Sequence, residues 1–353
     1  MNMIIEPLKA KHGDAIVIRF GSEDNKTIIV IDGGPNDCAE MIADYYDTLG
    51  YIDLLILTHY DEDHIGGLLE FIGRHTRDNS ERIGEIWVNG AQIIYFDKDE
   101  NVSSYDDAYT LASYINRMKD KGIIKSVVYN INNSMDDVKR EGFELSILTP
   151  TSSCLEKLEA NFEHYVDEHG LADDPDTDEQ VSYGRTIKDS EKSLESLAEE
   201  KHKATTTFMN QTSISFILYV EGKSIMMLGD ADINDVEMKL KDMGYSKENP
   251  IHLDLVKLSH HGSKGNFSKE FLEIIDCNDF LITTNGGTGG AYHPDRKTIA
   301  LIKDNNEKNS TEKIATLRFN YPLKEIMNRT TGLLSEDEQN YFDIDDDVKE
   351  IVL

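Results

Sequence analysis

Four potential metal ligands lie within six residues of one another, directly after a short apolar segment. The segment, residues 52–57, is short and nearly all apolar, which predicts a buried β-strand. The potential ligands that follow it are His59, Asp61, Asp63 and His64. Capping of the next helix would explain one acid, but not two acids and two histidines. Because Gly66 and Gly67 let that helix begin close by, the sequence predicts a compact metal site here.

Two later predicted strands also end in potential ligands. In the first, residues 226–228 run into Gly229-Asp230, where one carboxylate could bridge two cations about 3.5–4 Å apart. A simple Gly-Asp turn is the alternative interpretation. The second strand runs into Ser259-His260-His261-Gly262-Ser263. Adjacent histidines on a strand point in opposite directions, so we expect one to bind metal and the other to contact substrate or transfer protons.

The rest of the chain alternates strand-like and helix-like segments in two β-rich halves, before Pro150 and after Thr206. We expect strands at residues 16–20, 27–31, 52–57, 83–89, 126–129, 143–148, 213–220, 224–228, 253–258 and 280–283. We expect helices at residues 38–49, 105–119, 233–243 and 269–275. This order predicts an α/β protein in which two sheets pack together with helices outside, an α/β/β/α sandwich.

Residues 151–206 differ in composition from their surroundings, because they are acidic and poor in β-branched apolar residues. We interpret them as a partly helical surface insertion with a flexible loop at Asp173–Asp178. The insertion is either solvated decoration or a substrate-gating lid, and it could also contact a protein partner. We expect residues 1–310 to form one domain that carries this insertion, and residues 311–353 to form an extension packed on the same domain.

The net charge of −31 restricts the partners of the protein. An average surface this acidic repels phosphate backbones, which weakens any function that requires tight, sequence-independent binding of DNA. The three cysteines are odd in number and far apart, which indicates a reducing compartment. The first residues do not resemble a signal peptide, and no apolar run reaches the length of a membrane span. We therefore expect a cytoplasmic protein without a membrane partner.

Together these motifs resemble the metallo-β-lactamase superfamily, whose signature is His-x-His-x-Asp-His followed by a distal His, a bridging Asp and a final His. Within it, the chain looks similar to the domain at the C-terminus of bacterial DNA-uptake competence proteins and its free-standing relatives. The further parallels are His12-Gly13-Asp14-Ala15, Asp32-Gly33-Gly34, Asn210-Gln211-Thr212-Ser213 and His293-Pro294. The resemblance covers most of residues 4–305 and implies two mixed sheets with external helices.

The resemblance also implies one or two divalent metal ions, zinc or manganese. Asp61 stands where the second His is usual, and Asn210 stands at the position of the distal His. The implied ligands of the first ion are His59, Asp61 and Asp230, with Asn210 at most a weak ligand. The implied ligands of the second ion are Asp63, His64, Asp230 and His261. Because this set is rich in oxygen, it favours manganese over a zinc-selective site.

Roles for the remaining residues follow from the same resemblance. Asp63 would bind metal and orient the attacking water, and His260 would stabilise an oxyanion or transfer a proton. Asp32 either accepts a hydrogen bond from a ligating His or only forms the turn before Gly33-Gly34. Asp232 and His293 are candidates to contact substrate, although His293 is equally compatible with a plain loop position before proline.

The implied activity is hydrolysis of a phosphodiester, either in nucleic acid or in a smaller molecule. Hydrolysis of a carboxylic ester, lactone or thioester is the enzymatic alternative. A third possibility belongs to another class: a metal-bound binding or regulatory module without catalysis. The missing distal His and the acidic insertion motivate that third possibility.

Overall fold

A computed structural model describes residues 2–22, 25–90, 105–167, 189, 191–287, 292–308, 314–330 and 332–353. In this part of the chain two β-sheets pack face to face, and helices cover the outer face of each sheet. The predicted α/β/β/α sandwich is therefore confirmed.

Strands occur along the whole length of the described chain. They are β1 (Ile4–Pro7), β2 (Ile16–Ser22), β3 (Asn25–Ile31), β4 (Ile52–Ile56), β5 (Ile83–Trp87), β6 (Ile124–Val128), β7 (Val138–Arg140), β8 (Phe143–Thr149), β9 (Ser215–Val220), β10 (Lys223–Met227), β11 (Ile251–His252), β12 (Leu255–Lys257), β13 (Ile275–Asp276), β14 (Asp279–Ile282), β15 (Thr316–Phe319), β16 (Asp343–Asp345) and β17 (Ile351–Val352). Each strand predicted from the apolar runs is present, and the boundaries differ by a few residues.

Both sheets combine antiparallel and parallel pairing. The first sheet has the strand order β17-β1-β2-β3-β4-β5-β6, with antiparallel pairs up to β3 and parallel pairs from β3 to β6. The second has the order β16-β15-β14-β12-β10-β9-β8-β7, with parallel pairs from β10 to β16. Parallel neighbours end at the same edge of a sheet, so the carboxyl ends of β3, β4, β10, β12 and β14 lie close together.

One predicted strand, residues 253–258, is shorter in the structure. Only Leu255–Lys257 joins the second sheet, whereas Ile251–His252 pairs with Ile275–Asp276 in a separate two-stranded sheet. The strand also ends earlier than predicted, because the chain turns at Ser259–Gly262.

The described helices are α1 (Ala39–Asp47), α2 (Glu62–His75), α3 (Tyr105–Asp120), α4 (Ser152–Asp167), α5 (Leu194–Ala198), α6 (Phe208–Gln211), α7 (Ile233–Asp242), α8 (Lys269–Glu273), α9 (Arg296–Lys308), α10 (Leu323–Thr330) and α11 (Glu336–Gln339). None of these helices combines the length and the apolar character that crossing a lipid bilayer requires. Helix α2 begins directly after Asp61, whose side chain makes no capping hydrogen bond. Capping therefore does not account for this acid.

Three apolar layers hold the sandwich together. The central layer lies between the sheets and includes Ile56 and Trp87 from the first sheet and Phe216 and Met227 from the second. A second layer packs α1, α2 and α3 on the outer face of the first sheet. The third packs α7, α8, α9 and α10 on the outer face of the second sheet. Burial on both faces explains why the parallel strands are almost continuously apolar.

The C-terminal end of the acidic insertion packs on the second sheet. Leu194 and Leu197 of α5 are buried in the outer layer of that sheet. Lys303 Nζ of α9 lies 2.9 Å from Glu195, and Lys264 Nζ lies 3.1 Å from Asp189. The predicted loop at residues 173–178 lies outside the described residues.

The C-terminal segment contributes strands to both sheets. β15 and β16 extend the second sheet, and β17 pairs with β1 at the edge of the first. Arg296 of α9 also donates hydrogen bonds to Glu338 of α11. Residues 314–353 are thus joined to the rest of the chain by strand pairing and by an ion pair.

Candidate metal centre

Residues that follow five parallel strands meet at one edge of the sandwich. They are Asp32 after β3, His59 after β4, Asp230 after β10, His260 and His261 after β12, and Thr283 after β14. Asp63 and His64 join them from the first turn of α2. Both sheets therefore contribute side chains to a single site.

Four of these residues form a compact cluster: Asp63, His64, Asp230 and His261. One ligand atom from each lies within 4.8 Å of the others. His64 Nε2 is 3.4 Å from Asp230 Oδ1, and His261 Nε2 is 3.4 Å from Asp63 Oδ2. Three of the four side chains are at most 2% exposed, whereas that of Asp63 is 22% exposed. The cluster therefore opens to solvent at Asp63.

Hydrogen bonds fix the orientation of the two imidazoles in this cluster. His64 Nδ1 donates to the Asp32 carboxylate at 2.8 Å, and His261 Nδ1 donates to the Thr283 carbonyl at 2.7 Å. The Nε2 atom of each ring is buried and has no hydrogen-bond partner among the described residues. A buried polar atom without a partner is costly, and a cation would satisfy it. An imidazole held through Nδ1 with Nε2 turned inward is typical of a metal ligand.

His59 has the same orientation next to the cluster. Its Nδ1 lies 3.0 Å from Thr58 Oγ1 and 3.1 Å from Ser213 Oγ, and its buried Nε2 has no hydrogen-bond partner among the described residues. This Nε2 lies 3.3 Å from Asp61 Oδ2, on a side chain that is 37% exposed. His59 and Asp61 therefore flank the cluster as a second, more open group.

The charges in the cluster stabilise one another. Burial alone would lower the pKa of His64 and His261, but the neighbouring carboxylates outweigh it. Asp230 and Asp63 raise the pKa of His64 well above its usual value, and Asp14 and Asp230 raise that of His261 to about 9. Burial alone would likewise raise the pKa of Asp63 and Asp230, but the imidazoles hold both well below their usual range. The two carboxylates are thus ionised at neutral pH.

His260 and His261 lie in a turn, not on a strand, which makes the expectation of opposed side chains wrong. Both have positive φ, 46° and 53°, in the left-handed region that residues other than glycine rarely adopt. As a result both imidazoles face the carboxylates: His260 Nε2 lies 3.6 Å from Asp230 Oδ2. Burial, only partly opposed by Asp230, lowers the pKa of His260 to about 4, so the ring is neutral at pH 7.

The other predicted residues take different positions. The Nδ2 atom of Asn210 lies 3.3 Å from His260 Nδ1, and its buried Oδ1 has no hydrogen-bond partner among the described residues. The ring of His293 lies beside that of His260, with centroids 5.0 Å apart and the ring planes tilted by 55°. Asp232 instead caps α7, where its carboxylate accepts a hydrogen bond from the backbone of Asn234. The structure gives Asp232 this capping role, and its predicted contact with substrate stays a prediction.

Several residues around the centre were not predicted from the sequence. Thr58 donates to Asp32 at 2.7 Å, and Asn266 Oδ1 lies 3.2 Å from His260 Nδ1. Thr283 accepts from His261, and Ser213 contacts His59. A local signal existed for Ser213 alone, because it closes the Asn210–Ser213 motif quoted above.

Comparison with known families identifies the first part of the chain. Residues 9–78, about a fifth of the sequence, match the model of the metallo-beta-lactamase superfamily. This segment contains the four potential ligands that follow β4, so the resemblance is confirmed at the level of the superfamily. Most members of the superfamily are metal-dependent hydrolases that bind one or two metal ions. The relation to competence proteins stays a prediction. No curated protein matches the chain.

Solved structures with a similar arrangement share little sequence with this chain. The metallo-beta-lactamase fold protein YhfI from Bacillus subtilis is 9% identical, with 99% of each chain covered and a TM-score of 0.44. Zinc-bound PqqB from Methylobacterium extorquens is 11% identical, with 96% of this chain and 87% of that chain covered and a TM-score of 0.42. A diphosphatase from the PhnP family is 10% identical, with 100% and 98% covered and a TM-score of 0.42. At these values the likenesses carry no conclusion about activity.

Proposed function

We propose that this chain is a metal-dependent phosphodiesterase. The observation that supports it most is the convergence of two carboxylates and two imidazoles whose Nε2 atoms are buried without a hydrogen-bond partner among the described residues. A core of ordinary packing would not leave such atoms unpaired. The superfamily match over residues 9–78 supports hydrolysis as the class of reaction.

The donor set fits a divalent cation of the zinc or manganese type. Asp63, His64, Asp230 and His261 would hold one ion, with two oxygen and two nitrogen donors. Asp230 is the member that could also serve a second ion, because its Oδ2 faces His260 and its Oδ1 faces His64. A second ion would draw on His59 and Asp61 as well. Mixed oxygen and nitrogen donors suit both metals.

The cation would supply Lewis acidity, which lowers the pKa of water and neutralises charge that develops on a phosphoryl oxygen. Asp63, the most exposed carboxylate of the cluster, can accept a hydrogen bond from the attacking water and orient it. His260 is neutral at pH 7 and lies on the other side of Asp230. It can donate a hydrogen bond to the substrate or accept a proton from water.

The polar groups beside the cluster and the sequence motifs favour a phosphodiester as the substrate. Asn210, His260 and His293 lie beside the cluster and offer hydrogen bonds to phosphoryl oxygens without adding negative charge. The Ser259–Ser263 motif supports the same class through its resemblance to competence proteins. A net charge of −31 opposes the binding of long phosphate backbones, so a short phosphodiester is the preferred substrate.

The test begins with the metal content of purified protein by elemental analysis. Turnover is then measured on bis-p-nitrophenyl phosphate, single-stranded DNA and a lactone, with added Mn²⁺ or Zn²⁺. We expect turnover of the phosphodiesters that Asp63→Ala and His261→Ala each reduce at least about 100-fold, because each change removes a ligand. His252→Ala is the control, since this histidine is exposed on β11.

Three results would contradict the proposal, and each would favour a different conclusion about the function. Bound metal without turnover on any substrate would favour a binding or regulatory module. Turnover of the lactone alone would favour the carboxylic class of substrates. Phosphodiester turnover that survives both ligand changes would show that the reaction occurs elsewhere.

A further inference from the structure

A buried ion pair lies beneath the cluster and joins the two sheets. Asp14, in the connection between β1 and β2, and Lys257, the last residue of β12, are each 1% exposed. The Lys257 ammonium contacts the Asp14 carboxylate directly. Removing two charges from water is costly, and apolar residues of similar volume in place of a buried ion pair are often neutral or stabilising. Stability alone therefore does not explain the pair.

The pair contacts all three chain segments that carry the clustered residues, which are the start of α2, the residues after β10 and the turn after β12. The backbone amide of Asp14 donates to the carbonyl of Asp63 at 3.1 Å. Lys257 Nζ donates to the carbonyl of Gly229 at 3.1 Å, and Gly229 directly precedes Asp230.

The third contact is to His261. Asp14 Oδ1 lies 3.5 Å from His261 Nδ1 and accepts a hydrogen bond from Thr283 Oγ1 at 2.5 Å. Thr283 in turn holds His261 through its carbonyl. A shift of either charged side chain would therefore disturb His261 as well as the segment before Asp230.

We propose that Asp14 and Lys257 are positioning residues that hold Asp63, Asp230 and His261 in their metal-binding arrangement. This inference rests on the proposed metal-dependent function. Asp14 and Lys257 would not bind the metal ion themselves. They contact the backbone or the rings of the residues that would bind it. Residues that orient metal ligands in this way are typically worth about 10- to 100-fold in metal affinity.

A metal ion bound by Asp14 itself is the competing interpretation, because Asp14, Asp32 and His64 also offer three potential ligands close together. The carboxylates of Asp14 and Asp32 and the Nδ1 atom of His64 already have partners. Lys257 neutralises Asp14, and the Asp32 carboxylate accepts hydrogen bonds from Thr58 and His64. We therefore interpret this group as one that holds the clustered residues in place, and not as a separate metal site.

The decisive variant replaces both charges, Asp14→Leu together with Lys257→Met, so that no buried charge is left unpaired. Affinity for Mn²⁺ and Zn²⁺ is measured by titration calorimetry, and ligand geometry by the visible absorption of the Co²⁺-loaded protein. We expect an unfolding midpoint near that of the wild type, because apolar replacement of a buried pair is often neutral. We expect metal binding at least about tenfold weaker and an altered Co²⁺ spectrum.

The matched control is the double variant Asp279→Leu with Arg318→Met. It removes a bidentate ion pair of the same sheet, with both contacts at 2.7 Å, at the opposite end of the strands, together with the contact from Arg318 to the exposed carboxylate of Asp345. Metal affinity should be unchanged there. If the Asp14 and Lys257 variant does not fold, the variant Thr283→Val tests the positioning role instead. It removes one hydrogen bond to Asp14 and keeps both charges. It should weaken metal binding at least about threefold.

The outcomes separate this inference from the proposed function. Wild-type protein that binds none of the three metals would overturn both. Metal binding by the wild type that stays within threefold in the double variant, with the same Co²⁺ spectrum, would overturn the positioning role alone. An equal loss of affinity in the Asp279 and Arg318 control would also overturn it, because the effect would then follow from stability.

Discussion

The Asp32 carboxylate accepts a hydrogen bond from His64 Nδ1 at 2.8 Å. Asp32 is itself fixed by the backbone amide and the hydroxyl of Thr58, at 2.8 and 2.7 Å. His64 Nε2 consequently faces Asp230, 3.4 Å away. The direction in which His64 presents its free nitrogen thus depends on a carboxylate that is too deeply buried to meet substrate.

Replacement of that carboxylate should weaken the metal centre without unfolding the protein. Asp32→Asn keeps the shape of the side chain but removes the charge that His64 Nδ1 contacts. We expect metal affinity to fall about 10- to 100-fold, as for other changes to groups that orient a ligand. Calorimetric titration with Mn²⁺ measures it. Asp53→Asn is the matched control, because Asp53 accepts a hydrogen bond from the Ile28 backbone on the same sheet. An equal loss in both variants would contradict the assignment of Asp32.

Ligand changes should also show which ion binds more tightly. One ligand atom from each of the four clustered residues lies within 4.8 Å of the others, whereas His59 Nε2 lies beside the carboxylate of Asp61, which is 37% exposed. We therefore expect His261→Ala to remove the tightly bound metal, and His59→Ala to leave about one ion per chain. Elemental analysis after dialysis gives the stoichiometry. Metal retained by His261→Ala but lost from His59→Ala would reverse the assignment.

Metal binding should release protons and strengthen as the pH rises. The pKa of His261 is raised to about 9 and that of His64 lies well above its usual value, so both rings carry protons at neutral pH without metal. A metal ligand must lose its proton, and affinity should therefore rise from pH 6.5 to about 9. Titrations in buffers of different ionisation enthalpy count the protons released. Affinity that is independent of pH in this range would contradict the protonated state.

The same pKa shift predicts how the stability of the metal-free protein depends on pH. A group whose pKa is raised on folding stabilises the protein fully below its unfolded value, and that contribution is lost as the pH rises through the folded value. For His261 the window runs from 6.5 to about 9. Thermal unfolding of EDTA-treated protein should therefore shift to lower temperature across it. No shift, or a shift upward, would show that the imidazole is not stabilised in its charged form.

Local sequence patterns were sufficient to predict the strands of both sheets and the candidate ligands that follow them. The apolar run at Ile52–Ile56 forms β4, and His59 and His64 follow it as predicted. This works because a buried strand needs a continuous run of apolar side chains, and because ligands at its end are close in sequence. The same reasoning located Asp230 after β10.

Contacts between the sheets could not be predicted in this way. Asp14 and Lys257 contact each other only because the two sheets pack face to face. The sequence around each residue gives no indication of a partner so distant along the chain. A lysine at the end of an apolar strand would be expected to be exposed to solvent, yet Lys257 is 1% exposed. The turn at His260 and His261 was missed because positive φ at two histidines has no compositional signal.

Gly67, in α2, allows that helix to approach the turn after β3. A Cβ atom at this position would lie 2.3 Å from the carbonyl oxygen of Gly33. Alanine is normally about 1 kcal/mol better than glycine inside a helix, but a clash with backbone requires the helix to move. We expect Gly67→Ala to lower the free energy of unfolding by about 1–3 kcal/mol, the usual cost of overpacking. Urea denaturation measures this free energy of unfolding.

Gly73→Ala in the same helix is the control, because its Cβ would meet only the ring edge of Tyr114 at 3.1 Å. Since displacement of α2 also moves His64 away from Asp32, Gly67→Ala should weaken Mn²⁺ binding, whereas Gly73→Ala should not. Equal stability of the Gly67 variant and the wild type would show that this close approach can relax without cost.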